Sequence, residues 1–341
     1  MARIALVVTN ACAPDPRVER HARWLSEIGH DVEIHAWDRQ QNHLVLEEKN
    51  GYTIHRYQIG ETNYKSAFKT WQTKKKFISS LKLDHDLLIL NDTDTFGVNY
   101  SGLTVLDIHD MAHTWPLMRG KSLLHKLASY RMYLQAKKMI KNANEIIVAA
   151  PGFQTFVKQF GKESYVVMNR SNPKEIERTS DKVVGYIGRI REIESISMMI
   201  KSAEKIGFKV LIAGDGIHAK IVEEKFPDID YRGPFTEDQI SNLISEISVM
   251  YAMYDSGRPN IKSGAIPTKM LDAAAHGIPS VVSKNTPMGN LCDEEGLGTT
   301  ASYGDIEEIS KAILKAYKME IKPPRGEDKK EFLSVIKRLI D

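Results

Sequence analysis

The sequence predicts an α/β protein of two doubly wound units, each a mostly parallel sheet with helices on both faces, set about a central cleft. Three observations carry this expectation. Short apolar runs alternate with helical patterns along almost the whole chain. The alternation lapses once, in a polar stretch around Pro173, and then restarts. The length, 341 residues, suits two domains of average size. Strand–helix alternation at this spacing is the mark of parallel sheets covered on both sides.

In chain order, Ile4 to Val8 is a buried-type strand followed by a loop with Pro14 and Pro16. A helix over Val18 to Ile28 puts Ala22, Leu25 and Ile28 on one side, and Gly29 terminates it. Further strands are expected at Asp31–Trp37, Tyr52–Arg56, Leu87–Leu90, Thr104–Ile108, Glu145–Val148 and Tyr165–Met168. After the lapse, strands are expected at Val183–Ile187, Lys209–Ala213, Asp230–Tyr231, Val249–Ala252 and Ser280–Val282. Helices fall between them near Ile193–Ile206, Ala219–Phe226, Glu237–Ile244 and Thr268–His276, with another at Asp305–Lys318. Pro323, Pro324 and Gly326 break that last one, and a final helix begins at Glu327. The expected division is residues 1–170, a hinge at 171–182, a second unit at 183–320, and a C-terminal helix within 321–341 that returns to the first unit.

Hydrophobic residues make up 42% and charged residues 27% of the chain, as in ordinary globular proteins. No apolar run approaches the roughly 20 residues that span a bilayer. Met1 to Val8 enters a strand without a charged lead or cleavage site, and Cys12 and Cys292 lack metal-ligand spacing. These features point to a cytoplasmic protein with free thiols. Net charge is only +3, but the basic residues cluster. Lys65, Lys69, Lys74, Lys75 and Lys76 interleave with Phe68, Trp71 and Phe77. Arg119, Lys121, Lys126, Arg131, Lys137, Lys138 and Lys141 interleave with Leu123, Leu124, Leu127, Tyr130 and Tyr133. Both are basic amphipathic helices: either solvated faces, or surfaces for anionic lipid at the inner face of a membrane. No recognisable nucleic-acid module accompanies them.

Open parallel sheets bind ligands beyond the carboxyl ends of their strands, so chemistry is expected in those loops. The most informative segment is Ile266 to Pro279, IPTKMLDAAAHGIP. Pro267 suits a first helical position, and the N–H groups of Thr268, Lys269 and Met270 would then be free to bind a diphosphate, aided by the helix dipole. Asp272, one turn in, is placed to accept hydrogen bonds from ribose hydroxyls. An ordinary well-capped helix explains the same segment without any ligand.

The pattern Pro267-x-Lys269-x-x-Asp272-x-x-Ala275-x-Gly277-x-Pro279 resembles the donor-site signature of the retaining family-4 glycosyltransferases. The resemblance extends along nearly the whole chain. Arg17 with Ala22, Leu25 and Gly29-His30-Asp31-Val32 is similar to the opening of those enzymes, and Asp107-Ile-His109-Asp110 to their D-x-H-(D/E) motif. Gly185-Tyr-Ile-Gly188-Arg189 resembles their G-x-x-G-R turn, and Gly214-Asp215-Gly216 their G-x-G turn. The resemblance implies the GT-B fold and a nucleotide-diphosphate sugar donor (UDP, GDP or ADP) bound in the second unit. It further implies transfer to a hydroxyl acceptor, lipid-linked or a glycan, with retention of anomeric configuration.

Within that resemblance, Gly188 lets the backbone approach a phosphate, while Arg189 and Arg191 supply charge for the leaving diphosphate. His109 is implied to hydrogen-bond the donor sugar. Gly214 and Gly216 leave room for the nucleotide, and Phe235, in Arg232-Gly233-Pro234-Phe235, is a candidate for contact with the base. Asn10, Asp15 and Arg17 lie in the first loop, which in such enzymes approaches donor phosphate or acceptor. The expected catalytic residues are thus His109, Arg189 and Asp272.

Three positions depart from the family pattern. The first acid of its E-x7-E pair falls on Gly264, the second is shortened to Asp272, and Glu194 stands where a phosphate lysine is common. Asp92 and Asp94 are expected to be turn and helix-cap residues, and neither a cofactor nor a metal is expected to be required. Two other readings share the architecture: a nucleotide-sugar epimerase, and a scaffold that has lost catalysis and binds a sugar nucleotide or a partner protein.

Overall fold

The computed structural model describes residues 1–60, 67–324 and 326–340. The chain forms two compact units: Met1–Met168 with Glu327–Asp341, and Asn169–Gly326. Residues 169–182, expected as a hinge and its lead-in, are part of the second unit.

Unit 1 is an eight-stranded sheet in the order β3-β4-β2-β1-β5-β6-β7-β8. Its strands are β1 (Arg3–Val8), β2 (Asp31–Trp37), β3 (Leu46–Lys49), β4 (Tyr52–Tyr57), β5 (Leu87–Asn91), β6 (Leu103–Ile108), β7 (Glu145–Val148) and β8 (Tyr165–Val166). All pair in parallel except β3 with β4, which is antiparallel. Its helices are α1 (Pro16–Glu27), α2 (Ala67–Ser80), α3 (Trp115–Arg119), α4 (Leu123–Asn142), α5 (Pro151–Lys158) and, from the end of the chain, α13 (Asp328–Ile340). Helix α1 starts where Asp15 accepts the Val18 N–H at 3.3 Å, with Pro16 already holding a helical φ. It buries Val18, Ala22 and Leu25, whereas Ile28 is the C-cap and half exposed, so the apolar stripe ends one turn earlier than its pattern suggests.

One face of this sheet packs Ile4, Leu6, Val32, Ile34 and Ala36 against α1 and α13, which contributes Phe332, Val335 and Ile336. The other face gathers Ala5, Val7, Trp37, Phe77 and Leu88. Of the first basic stretch, Lys65 and the side chain of Phe68 lie outside what is described; Phe77 is fully buried and Trp71 partly exposed.

Unit 2 is a six-stranded, fully parallel sheet in the order β11-β10-β9-β12-β13-β14. Its strands are β9 (Val183–Ile187), β10 (Lys209–Ala213), β11 (Asp230–Tyr231), β12 (Val249–Tyr251), β13 (Ser280–Ser283) and β14 (Gly298–Ala301). The helices are α6 (Ile193–Lys205), α7 (Ala219–Lys225), α8 (Ile240–Ser245), α9 (Pro259–Lys262), α10 (Thr268–Ala275), α11 (Pro287–Glu295) and α12 (Ile306–Tyr317). Strand order reverses between β9 and β12, which marks the place where such a sheet takes a ligand. No described helix is long and apolar enough to cross a membrane, and both cysteines are buried free thiols.

Candidate functional site

In unit 2 the loops at the switch point are laced together by backbone hydrogen bonds. The Gly188 N–H donates to the Ala213 carbonyl at 2.9 Å, and the Ile190 N–H to that of Asp215 at 2.6 Å. The approach is so close that a Cβ on Gly214 would stand 2.0 Å from the Gly188 oxygen, and one on Gly216 2.2 Å from the Ile190 oxygen; both residues also hold positive φ. Their requirement for glycine is therefore met by loop packing alone, before any nucleotide is considered.

Helix α10 begins at Thr268, as its expected span has it. Pro267 is the N-cap, at φ −70° and ψ 127°, rather than the first helical residue. The expectation for Met270 is corrected too: its N–H bonds the Pro267 carbonyl at 3.1 Å and its side chain is fully buried, so it has nothing to offer a phosphate. The N–H groups of Thr268 and Lys269, first in the helix, have no acceptor within it.

Lys269 is the unusual side chain. It is 6% exposed, its ammonium sits 3.1 Å from the centroid of the Tyr186 ring and 5.5 Å from that of Tyr254, and its Nζ has no hydrogen-bond partner. Burial, reinforced by the charge of Arg191, pulls its pKa well below the usual lysine range. An ideal Cβ on Gly188 would lie 3.5 Å from the Lys269 Cε, so the amine stands against the bare backbone of that turn. Gly188, Arg191 and Lys269 are thereby brought into one neighbourhood, walled by the two tyrosines. Tyr186 is pinned by donating its hydroxyl to the Arg189 carbonyl at 2.8 Å. Glu192 binds Arg258, whose guanidinium lies over Tyr254. Arg189 and Arg191 are themselves exposed.

Asp272 is half-buried and accepts a hydrogen bond from the Ser171 hydroxyl at 2.6 Å, while its own carbonyl faces the Nδ1 of His276 at 2.7 Å. Phe235 is partly exposed in the loop after β11. Gly264 is buried at φ +107°, and Glu194 is exposed in the first turn of α6.

In unit 1 the loops after β1, β5 and β6 meet around a charged network. Asp107 is fully buried and takes Arg17 on both oxygens (2.5 and 3.0 Å), with His21 and His109 each at 3.1 Å. Burial alone would raise the Asp107 pKa, but Arg17 and then His109 hold it well below the carboxylate range. His109 shows the reverse: burial would lower its pKa, yet Asp92 and Asp107 lift it to about 9. Asp92 is raised to about 7 by burial, against the pull of His109.

Two expectations change here. Arg17 is not an acceptor-loop side chain; it is 4% exposed and tied to Asp107 and to the Val167 carbonyl at 2.6 Å, because a buried carboxylate needs a bidentate partner. Asp92 makes no helix-cap hydrogen bond; its carboxylate collects the N–H groups of His109 and Asp110 at 2.6 and 3.0 Å, and Asp94 takes the Thr9 hydroxyl. His109 itself turns one nitrogen to Asp107 and the other toward Asp92 at 3.7 Å. Asn10 is exposed and donates to Asp15 at 2.8 Å. Sequence reasoning missed Tyr186, Tyr254 and Ser171, which look like core or loop residues. For Asp107 a signal existed: an acid inside an otherwise apolar strand.

Comparison with known proteins follows the same division. Residues 181–319, nearly all of unit 2, match the family model described as Glycosyl transferases group 1. Among solved structures, sucrose-phosphate synthase of Thermosynechococcus elongatus is similar over 100% of this chain and 95% of its own, at 14% identity and a TM-score of 0.75. HepE of Anabaena, solved with UDP and glucose, is similar over 100% and 96%, at 12% identity and a TM-score of 0.66. A mutant TarM of S. aureus, in complex with fondaparinux, alpha-GlcNAc-glycerol and UDP, covers the same shares at 12% identity and a TM-score of 0.64. No curated protein matches. The fold is GT-B, with two Rossmann-like units. Its second unit carries the match to the group 1 glycosyltransferases.

Proposed function

We propose that this protein is a glycosyltransferase that moves a sugar from a nucleoside-diphosphate donor to a hydroxyl acceptor with retention of configuration. The carrying observation is Lys269: a buried amine without a hydrogen-bond partner, at the head of a helix and against a glycine turn, at the switch point of unit 2. Burial disfavours the charged form of this amine, and a bound diphosphate would favour its protonation and give it a partner. Lys269, Arg189, Arg191 and the first N–H groups of α10 would together stabilise the charge that develops on the departing diphosphate. The model's match over unit 2 and the UDP held by HepE and TarM support this reading.

Chemistry then rests on positioning. The acceptor hydroxyl approaches on the face from which the diphosphate leaves, and a leaving phosphate oxygen draws its proton, so no protein base and no metal is required. The acceptor belongs to unit 1, whose α4 exposes Leu123, Leu127, Tyr130 and Leu134 beside Lys126 and Arg131, which favours a lipid-linked acceptor at an anionic membrane. A second reading, a scaffold that binds donor without turning it over, is favoured by Gly264 at the position of the family's first acid. Slow donor hydrolysis by the purified protein separates the two.

The test is a thermal-shift screen with UDP, GDP, ADP and their sugars, with and without EDTA. One nucleotide should raise the Tm, with or without chelator. Lys269→Met should weaken that nucleotide about 100-fold while leaving the free protein as stable or more so, because it removes a buried polar nitrogen without a hydrogen-bond partner. A millimolar nucleotide that shifts nothing, or a Lys269→Met variant that binds normally, sinks the proposal.

A further inference from the structure

In the first sheet, three imidazoles converge on one carboxylate oxygen, that of Glu33. Glu33 and His35 lie two residues apart on β2 and so share a face; His35 pairs in register with His55 of β4. His85 comes from the turn that leads into β5, on the far side of β1. Opposite Glu33, β1 carries only Ala5, whose methyl leaves the face open between β2 and the start of β5. The Nε2 atoms of His35, His55 and His85 each stand 3.4 Å from Glu33 Oε2.

That distance is informative. Ligands around a tetrahedral zinc with bonds of about 2.1 Å stand about 3.4 Å from one another. It is also poor as a set of hydrogen bonds: His35 Nε2 is buried and has no hydrogen-bond partner. The other nitrogen of His35, Nδ1, is 3.0 Å from the Tyr57 hydroxyl, an outer contact that fixes the ring and directs Nε2 inward. The His85 carbonyl accepts the Tyr100 hydroxyl, which fixes the turn. Ligand atoms of Glu33, His35 and His85 all lie within 4.8 Å of one another.

We propose that Glu33, His35 and His85 bind a divalent transition-metal ion, zinc by their mixed imidazole and carboxylate character, with His55 beside the fourth position. Glu33 and His55 are partly exposed, which gives the ion a way in from solvent. The ion would staple β2 to the entry of β5 across β1, a structural role in unit 1 that requires no part of the diphosphate site.

The experiment uses the untagged full chain, stripped with chelator and titrated with Zn²⁺ alone, and with Co²⁺ as a spectroscopic stand-in. One equivalent of Zn²⁺ should bind, raise the Tm, and be replaced by Co²⁺ with the intense visible band of tetrahedral coordination. Glu33→Gln, a conservative change on a partly exposed side chain, and His85→Ala should each weaken binding at least 10-fold and abolish the band, with the far-UV spectrum of the metal-free protein unchanged. His55→Ala should lose less. The nucleotide shift of the metal-free protein should persist in all three, which keeps this test separate from that of the donor site. Failure of the native chain to take up either ion, or uptake with an unaltered band in the Glu33→Gln/His85→Ala double variant, overturns the proposal.

Discussion

His109 illustrates what a single residue can and cannot say. Its place in Asp107-Ile-His109-Asp110 marks it as functional by resemblance, yet its two nitrogens face two carboxylates of its own unit. Through them the imidazole ties the loop after β6 to the loop after β5. Its raised pKa has a defined consequence for stability. A group whose folded pKa lies above its unfolded value stabilises the fold fully below the unfolded value and loses that effect as pH rises through the folded one. For His109 the window runs from about 6.5 to about 9, and the raised pKa of Asp92 acts in the same direction at lower pH. Unit 1 should therefore lose a few kcal/mol between pH 6.5 and 9, measured as a falling urea midpoint. His109→Gln should flatten that slope. A native slope that stays flat would refute the charged-histidine assignment.

At the scale of elements, α10 and α4 differ in how far their sequences decide them. Helix α10 was legible: a proline, a run of alanines and Gly277 bound it, and the structure makes Pro267 its N-cap rather than its first residue. What the pattern could not reveal is that Lys269 points inward, since a lysine in a first turn normally faces solvent. Helix α4 was legible as basic and amphipathic, but not which of its apolar residues stay uncovered. Leu123, Leu127, Tyr130 and Leu134 lie at helical spacing, and all are more than a third exposed. If this stripe rests on lipid, Leu127→Glu should reduce co-sedimentation with vesicles containing phosphatidylserine about 10-fold, with no effect on the Tm. Equal binding of native and variant protein to anionic vesicles would remove α4 from the membrane surface.

At the scale of the whole chain, the two units owe their integrity to different stretches of sequence. Unit 1 is closed by α13, which places Phe332, Val335 and Ile336 in the core and stacks Phe332 on His21 at 4.1 Å. Burial of these three side chains contributes on the order of 5–8 kcal/mol, comparable to the stability of a domain. Deleting residues 327–341 should unfold unit 1 and leave unit 2 intact. Calorimetry of the truncated chain should then show one transition where the full chain shows two, and a preserved unit 1 transition would contradict the proposed core.

The sequence by itself determined the class of architecture, because apolar periodicity and turn residues are local and each strand–helix pair announces itself. It determined most strand positions, missing β3 and β14, whose Leu-Glu-Glu-Lys and Gly-Thr-Thr-Ala carry too little apolar signal. It assigned Gly188, Arg191 and the backbone N–H of Lys269 to a larger donor-binding set, since each motif keeps its spacing. Only the tertiary structure decided which polar residues turn inward. Arg17 and Asp107, 90 residues apart, become a buried pair. Glu33 and His85, 52 residues apart by their numbering, become neighbours across a strand. Such pairings depend on strand order and register, and those follow from how the whole sheet packs rather than from any local run of residues.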